Sequence, residues 1–180
     1  NGSYFYDIED LDHNGKVDIS DGGDRYIAGQ ATPKVILGSN ISFRYKNFYV
    51  SIQMNGAFGH KIFNGTGLSF TSMACFPDYN VLKDAPQKNI VDQRVSDYWL
   101  EKGDYLNFEH LTLGYDVPLK SKTLRSLRIS GNVSNLGTIT DYRGLTPMIN
   151  SYVVNSTMGI DDKRNYPLFR TYSLGLSIQF

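Results

Sequence analysis

Five segments of the chain alternate apolar and polar residues with a period of two, the pattern of β-strands whose two faces meet different surroundings. Their apolar positions are, in order, Val35, Leu37, Ile41, Phe43 and Tyr45; Phe48, Val50, Ile52, Met54 and Phe58; Leu111, Leu113, Tyr115 and Val117; Leu127, Ile129 and Val133; Tyr172, Leu174, Leu176, Ile178 and Phe180. In the third segment the phase slips near Glu109 and His110, because Leu106 and Phe108 have the opposite parity. The slip predicts a β-bulge there, or the point where the strand leaves a membrane.

The joints between these segments alternate between short and long. The first two segments meet at Lys46-Asn47, and the third and fourth meet across Pro118 to Thr123. The long joints are about 63–103 and about 139–165, and residues 1–33 form a third long segment before the first strand. Outer-membrane β-barrels have short periplasmic turns and long outer loops, and their strands need about 9–11 residues to cross the bilayer. The pattern predicts an all-β fold: the C-terminal strands of a large antiparallel transmembrane barrel.

Strand alternation by itself leaves two architectures open. In a large barrel the apolar face meets lipid and the polar face lines the lumen. The polar face would then carry Ser51, Gln53, Asn55, Arg128, Ser130, Asn132, Ser177 and Gln179. The alternative is a soluble β-sandwich with a ligand-binding role, in which the apolar face forms a core. The regular alternation of short and long joints favours the barrel. Solubility in plain buffer without detergent would favour the sandwich.

Composition narrows the classes of function. Among 180 residues, 18 are Lys or Arg and 18 are Asp or Glu, so the zero net charge predicts no nucleic-acid partner. No apolar run reaches the roughly 18 residues that a transmembrane helix needs. Residues 1–7 do not resemble a signal peptide, so any export signal is expected upstream. Cys75 is the only cysteine, which excludes an internal disulfide. No nucleophile motif, zinc spacing or phosphate loop is evident, so we expect no enzymatic activity.

Residues 10–21 read D-L-D-H-N-G-K-V-D-I-S-D and match a twelve-residue calcium loop. Such loops place oxygen ligands at positions one, three, five, seven, nine and twelve, with Gly at position six for the sharp turn. The predicted ligands are Asp10, Asp12, Asn14, the Lys16 carbonyl, Asp18 and Asp21. The alternative is a surface turn stabilised by side-chain to backbone hydrogen bonds. Because Gly22-Gly23 follows directly and no flanking helices are evident, we expect a structural Ca²⁺ in an outer loop.

Five stretches of the chain also point to a known family. They are D-L-D-H-N-G-K-V-D-I-S-D-G-G-D-R at 10–25, Y-K-N-F at 45–48, W-L-E-K-G-D-Y-L-N-F-E-H-L-T-L-G-Y-D-V-P at 99–118, L-R-I-S-G-N-V-S-N-L-G-T-I-T-D-Y-R-G at 127–144, and Y-P-L-F-R-T-Y-S-L-G-L-S-I-Q-F at 166–180. In this order they resemble the C-terminal part of SusC/RagA-type TonB-dependent outer-membrane transporters of Bacteroidetes. One departure is Leu145-Thr146-Pro147-Met148, where the family usually has an acidic residue beside the proline.

The resemblance implies a plugged barrel of about 22 strands that imports glycans or peptides across the cell outer membrane. It also implies two partners: a SusD-like surface lipoprotein, and TonB, which would act through an N-terminal part that these residues do not include. The expected organisation is therefore an extracellular loop with a calcium-type turn at 1–33. Five C-terminal barrel strands follow at 34–180, interrupted by the two long loops.

Overall fold

The structure is a computed structural model that describes residues 9–18, 20, 22–91, 93–120, 123–149, 158–163 and 165–180. The chain divides into two compact units. The loop unit comprises Asn1–Thr32, Lys61–Lys102 and Met148–Asn165, and the sheet unit comprises Pro33–His60, Gly103–Pro147 and Tyr166–Phe180. The elements in chain order are β1 (Val35–Tyr45), β2 (Phe48–Phe58), β3 (Lys61–Asn64), α1 (Gly65–Thr71), α2 (Ala85–Lys88), β4 (Leu100–Lys102), β5 (Tyr105–Asp116), β6 (Ser126–Thr140), β7 (Ile160–Asp161) and β8 (Thr171–Gln179). Short 3₁₀ helices lie at Met73–Cys75 and Asp97–Trp99.

The sheet unit is a single five-stranded antiparallel sheet in the order β1-β2-β5-β6-β8. All five predicted strands are present, and each pairs with the next of the five along the chain. The predicted all-β barrel fold class is confirmed by this sheet and by the related structures reported below. In the described residues, no helix is both long and apolar enough to cross a membrane.

The short joint between β1 and β2 is a two-residue turn, as predicted. Tyr45 pairs with Phe48, and Lys46 between them has φ 52°. Positive φ is what two-residue hairpin turns require, because their twist must match that of the strands. The Asn47 carboxamide also donates a hydrogen bond of 2.7 Å to the carbonyl of Asp116. This bond joins the turn to the end of β5.

The phase slip in β5 is a bulge at Glu109. Gln53 of β2 pairs with His110, whereas the next residue, Met54, pairs with Phe108. Glu109 is therefore the extra residue, and two residues of β6, 135 and 136, lie opposite it. The bulge returns Phe108 to the apolar side of the sheet, where its partner is Met54. Glu109 shifts the sequence pattern by one position, and the bulge accommodates this extra residue so that the apolar side chains stay on one face.

The fourth strand is longer than its hydrophobic pattern indicates. β6 runs to Thr140, because Thr138 and Thr140 pair with Asn107 and Tyr105 beyond the bulge. The joint after β6 consequently begins at Asp141 rather than at residue 139.

The loop unit has a small sheet of its own, which the sequence pattern did not predict. β3 pairs antiparallel with β4 and parallel with β7. Ile62 and Trp99 form part of its core, at 0% and 2% exposure. Asn64 caps α1 by accepting from the Gly67 amide at 2.6 Å, and its carboxamide donates to the buried Glu101 carboxylate at 2.8 Å. The two long joints are therefore folded segments with internal hydrogen-bond networks.

Candidate functional site

The strand register places the apolar residues of all five strands on one face of the sheet. One row across this face runs Tyr45, Phe48, Tyr115, Ile129 and Leu176. Other apolar side chains of this face are largely exposed: Phe43 is 66% exposed and Leu174 is 91% exposed. A β-sandwich would bury this face against a second sheet. A broad exposed apolar face is instead what a lipid-facing barrel wall presents.

The predicted polar residues all share the opposite face. Ser51 pairs with Thr112, Thr112 with Asn132, and Asn132 with Ser173. The same register aligns the other predicted positions, which are Gln53, Asn55, Arg128, Ser130, Ser177 and Gln179. Hydrogen bonds connect neighbouring side chains on this face, such as Ser42 Oγ to Ser51 Oγ at 3.1 Å. The polar face is therefore continuous from β1 to β8.

Near the short-turn end of this face, two arginines share one carboxylate. Arg128 Nε lies 2.6 Å from Asp116 Oδ1, and an Arg44 guanidinium nitrogen lies 3.3 Å from Asp116 Oδ2. The Tyr49 ring lies between them, with its centroid 5.2 Å from the Arg128 guanidinium carbon and 5.9 Å from that of Arg44. The four residues come from four adjacent strands. Their charges and the ring together hold the register across the sheet.

Gly114 makes room for this arrangement. It pairs with Tyr49 in the register, and a Cβ built on Gly114 would overlap the Tyr49 ring. Only a residue without a side chain lets the ring lie flat across β5. The sequence identified Arg128 as a polar-face residue but did not predict the cluster, because the four positions are far apart in the chain.

The bulge places a carboxylate in the middle of the polar face. Glu109 Oε2 accepts hydrogen bonds from Gln53 Nε2 at 3.2 Å and from Asn55 Nδ2 at 3.0 Å. The neighbouring His110 ring lies 3.1 Å from the Ser134 hydroxyl. A bulge can re-aim a side chain in this way. Here it adds an acidic group to a face that regular pairing would fill with neutral residues.

The calcium-type turn brings together part of the predicted ligand set. Asp10 and Asp12 lie close to Asp24, with one carboxylate oxygen from each within 4.8 Å of the others. Asp10 accepts from the amides of Asn14 and Gly15, at 3.2 and 2.7 Å. Asn14 is held by Asp12, which accepts from its amide at 3.0 Å. Gly15 has φ 81°, consistent with the sharp turn that the motif requires.

Asp24 is a member of this group that the twelve-residue template did not include. Its carboxylate accepts from the amides of Leu11 and Asp18, both at 2.7 Å. The hydrogen bond from the Asp18 amide is the largest of the effects that lower the pKa of Asp24. The carboxylate thus stays charged and closes the turn on itself.

The remaining predicted ligands are placed differently. Asp18 accepts from the Ser20 amide at 2.9 Å and from the Ser20 hydroxyl, and the amide bond is the main cause of its lowered pKa. The Lys16 amide donates to Asn14 Oδ1 at 2.8 Å, a contact of the backbone nitrogen. Asp21 lies outside the described residues. The described part of the turn therefore offers three grouped carboxylates, of which the sequence predicted two.

Similarity to known proteins covers nearly the whole chain. No family model matches it. TonB-dependent receptor P3 of Formosa agariphila is 30% identical over 188 residues, which cover 95% of this chain and 18% of that receptor. TonB-dependent receptor SusC of Bacteroides thetaiotaomicron is 28% identical over 182 residues, covering 94% of this chain and 17% of SusC. The chain therefore spans less than a fifth of the length of these relatives.

Solved structures share the fold of the described chain. A structure of the RagAB peptide importer in the closed-closed state superposes with a TM-score of 0.68 at 18% identity, over 93% of this chain and 20% of that one. The open-open state gives a TM-score of 0.60 over 83% of this chain and 17% of that one, also at 18% identity. At this identity the likeness shows the fold alone: this chain folds like part of one chain of that importer.

The fold and its two unlike faces define a segment of the wall of a large outer-membrane-type barrel. Taken with the sequence relatives, they show that the chain belongs to the SusC/RagA-type family of TonB-dependent receptors. These relatives are receptors and transporters, so the chain is not assigned as an enzyme.

Proposed function

We propose that this chain forms the C-terminal part of the barrel wall in a TonB-dependent transporter of the cell outer membrane. The observation that carries the proposal is the sheet with one exposed apolar face and one continuous polar face. Each of β1 and β8 has one neighbour in this sheet, so their outer edges would pair with the other strands of the barrel. Mechanistically, the wall would enclose a polar path for substrate and would carry out no bond chemistry.

The proposed cargo is a glycan or a peptide, and the proposed partner is a SusD-like surface lipoprotein. Support comes from the relatives, since one is SusC and the matching structures are of a peptide importer that consists of RagA and RagB. TonB would act through an N-terminal part outside these 180 residues.

The test is uptake by cells that carry the whole transporter. Fluorescent oligopeptides and oligosaccharides are supplied with and without a protonophore, which removes the energy that TonB transmits. We expect the protein in the outer-membrane fraction and energy-dependent uptake of one cargo class. Recovery of the folded whole protein from plain buffer without detergent, or uptake that the protonophore leaves unchanged, would contradict the proposal.

We also propose a structural Ca²⁺ in the turn that begins at Asp10. The grouped carboxylates of Asp10, Asp12 and Asp24 fit a hard cation, because calcium takes oxygen ligands and several carboxylates. Asn14 and the Lys16 carbonyl would complete the set, together with Asp18 and Asp21. When bound, the ion would tie the turn together; it would take no part in moving substrate.

Calorimetric titration of the whole protein with CaCl₂ tests this second proposal. The expected dissociation constant is about 0.1–1 mM, the range of extracellular calcium modules. Asp12→Ala should weaken binding at least about tenfold, since it removes a charged ligand. Asp78→Ala, at an exposed acidic position outside the turn, serves as the control. Equal binding by the two variants, or no heat at millimolar calcium, would exclude the site.

A further inference from the structure

A cleft of about 330 Å³ opens in the sheet unit where β5 begins and β6 ends. Its lining comes from these strand ends and from two segments, 144–147 and 167–170. Ligand sites in proteins have volumes of about 300–1,000 Å³, so the cleft could hold one or two residues of a peptide or one or two sugars of a glycan. None of its lining residues belongs to the calcium-type turn or to the arginine cluster.

Asn107 supplies a buried hydrogen-bond donor to this cleft. Its side chain lines the cleft and the residue is only 2% exposed. Thr138 Oγ1 donates to Asn107 Oδ1 at 2.9 Å, which fixes the carboxamide with its oxygen towards Thr138. Among the described residues, no acceptor contacts the Asn107 carboxamide nitrogen. Because Asn107 lines the cleft, its carboxamide nitrogen can donate to a carbonyl or carboxylate oxygen of a ligand there.

Arg170 gives the cleft its charge. Among the described residues it is the only charged one in the lining, so these residues give the cleft one positive charge. Its guanidinium donates to the backbone carbonyls of Asn135 and Leu136, which hold it in place. Asn135 is held in turn, because its carboxamide donates to the Phe169 carbonyl at 2.7 Å. A guanidinium that is already positioned favours an anionic group in its ligand.

The other lining residues favour a peptide over a glycan as the ligand. Its apolar members are aliphatic or proline: Leu145, Pro147, Pro167 and Leu168. Within the part of the chain that the structure describes, no aromatic ring lines the cleft, so these residues offer no flat platform on which a sugar ring could stack. Aliphatic side chains beside a backbone-type donor and a cation suit a peptide that ends in an apolar residue.

We propose that this cleft binds the C-terminal end of a peptide, an inference that rests on the proposed transport function. The terminal carboxylate would lie at Arg170, a backbone carbonyl would accept from Asn107, and an apolar side chain would pack against Leu145 and Leu168. The cleft would thus select free C-termini within the polar interior of the transporter.

Calorimetry on the whole transporter in detergent tests the proposal with three probes: acetyl-Gly-Ala-Leu, its C-terminal amide and maltotriose. We expect the free acid to bind about tenfold more tightly than the amide, and maltotriose not to compete. Arg170→Met should abolish the difference between acid and amide, whereas Arg170→Lys should keep most of it. Lys34→Met, which removes an exposed cation of the sheet unit outside the cleft, should leave it unchanged.

Asn107→Asp provides a second variant, because it keeps the acceptor for Thr138 and replaces the donor with an acceptor. It should weaken binding of both peptides, and Asn132→Asp on the same face should not. Equal affinity for acid and amide, competition by maltotriose, or discrimination that survives Arg170→Met would overturn the inference. The same samples are checked for outer-membrane insertion and energy-dependent uptake. If those hold while peptide binding fails, only the cleft assignment is wrong; if insertion fails, the transporter proposal itself falls.

Discussion

At the scale of single residues, small groups of side chains that touch across several strands stabilise the sheet. Tyr49, Arg44, Asp116 and Arg128 lie on four neighbouring strands, and their contact depends on the missing side chain of Gly114. The ion pairs are partly exposed, with Asp116 34% exposed, so each contributes modestly to stability. The packing of the Tyr49 ring against Gly114 is more sensitive to mutation than the ion pairs are, because the contact leaves no space for an added atom.

Gly114→Ala is therefore expected to destabilise the sheet by about 1–3 kcal/mol, the range for overpacking a close contact. The new Cβ would displace the Tyr49 ring and separate it from both guanidiniums. Gly38→Ala is the matched control, because it also lies within a strand and a Cβ there meets nothing within 4 Å. Denaturant unfolding of the whole protein in detergent measures both. Equal midpoints for the two variants would refute the steric account.

At the scale of elements, the bulge in β5 decides which residues face which side. If β5 paired regularly through Glu109, with no bulge, the side chains on the N-terminal side of Glu109 would all move to the other face. Leu106 and Phe108 would then point to the polar side, and Asn107 would point to the apolar side. The bulge thus preserves both the exposed apolar face and the polar face through the length of the strand.

Deletion of Glu109 would leave the pairing of β2 with β5 regular, but it would leave residues 135 and 136 of β6 with no residue opposite them. It would also remove the carboxylate that Gln53 and Asn55 contact, so we expect a smaller folded fraction. Glu109→Gln keeps the extra residue and the two amide contacts to its side chain, and it should fold, with a loss of charge alone. The folded fraction is measured by the change in electrophoretic mobility on heating outer-membrane samples. A deletion variant that folds as well as Glu109→Gln would show that the bulge is dispensable.

The long strands and the bulge could be predicted from the sequence because period-two alternation is a local signal. The small sheet of the loop unit could not be, since β7 has two residues and β3 pairs with it across nearly a hundred positions. Asp24 was missed for a similar reason: it reaches back to the Asp10 turn from beyond the twelve-residue template. The arginine cluster and the cleft likewise depend on contacts between distant strands, which no single stretch of sequence displays.

At the scale of the whole molecule, a barrel wall and a soluble sandwich differ in what surrounds the apolar face of the sheet. The register assigns Leu176 and Ser177, adjacent in β8, to opposite faces. A barrel wall requires lipid at Leu176 and water at Ser177. A soluble sandwich requires a protein core at Leu176 and bulk water at Ser177. The two architectures therefore differ in what surrounds one side chain.

The accessibility of spin labels at engineered cysteines distinguishes them most directly. Leu176→Cys and Ser177→Cys are made separately in a Cys75→Ser background, which removes the native thiol. Each thiol is labelled with a nitroxide in the unfolded protein, which is then refolded into the membrane. We expect the label at Leu176→Cys to be relaxed mainly by oxygen, which concentrates in lipid, and the label at Ser177→Cys to be relaxed mainly by a water-soluble nickel chelate. Stronger relaxation of the Leu176→Cys label by the nickel chelate, or its protection from both relaxants, would contradict the assignment of this sheet to a transmembrane barrel wall.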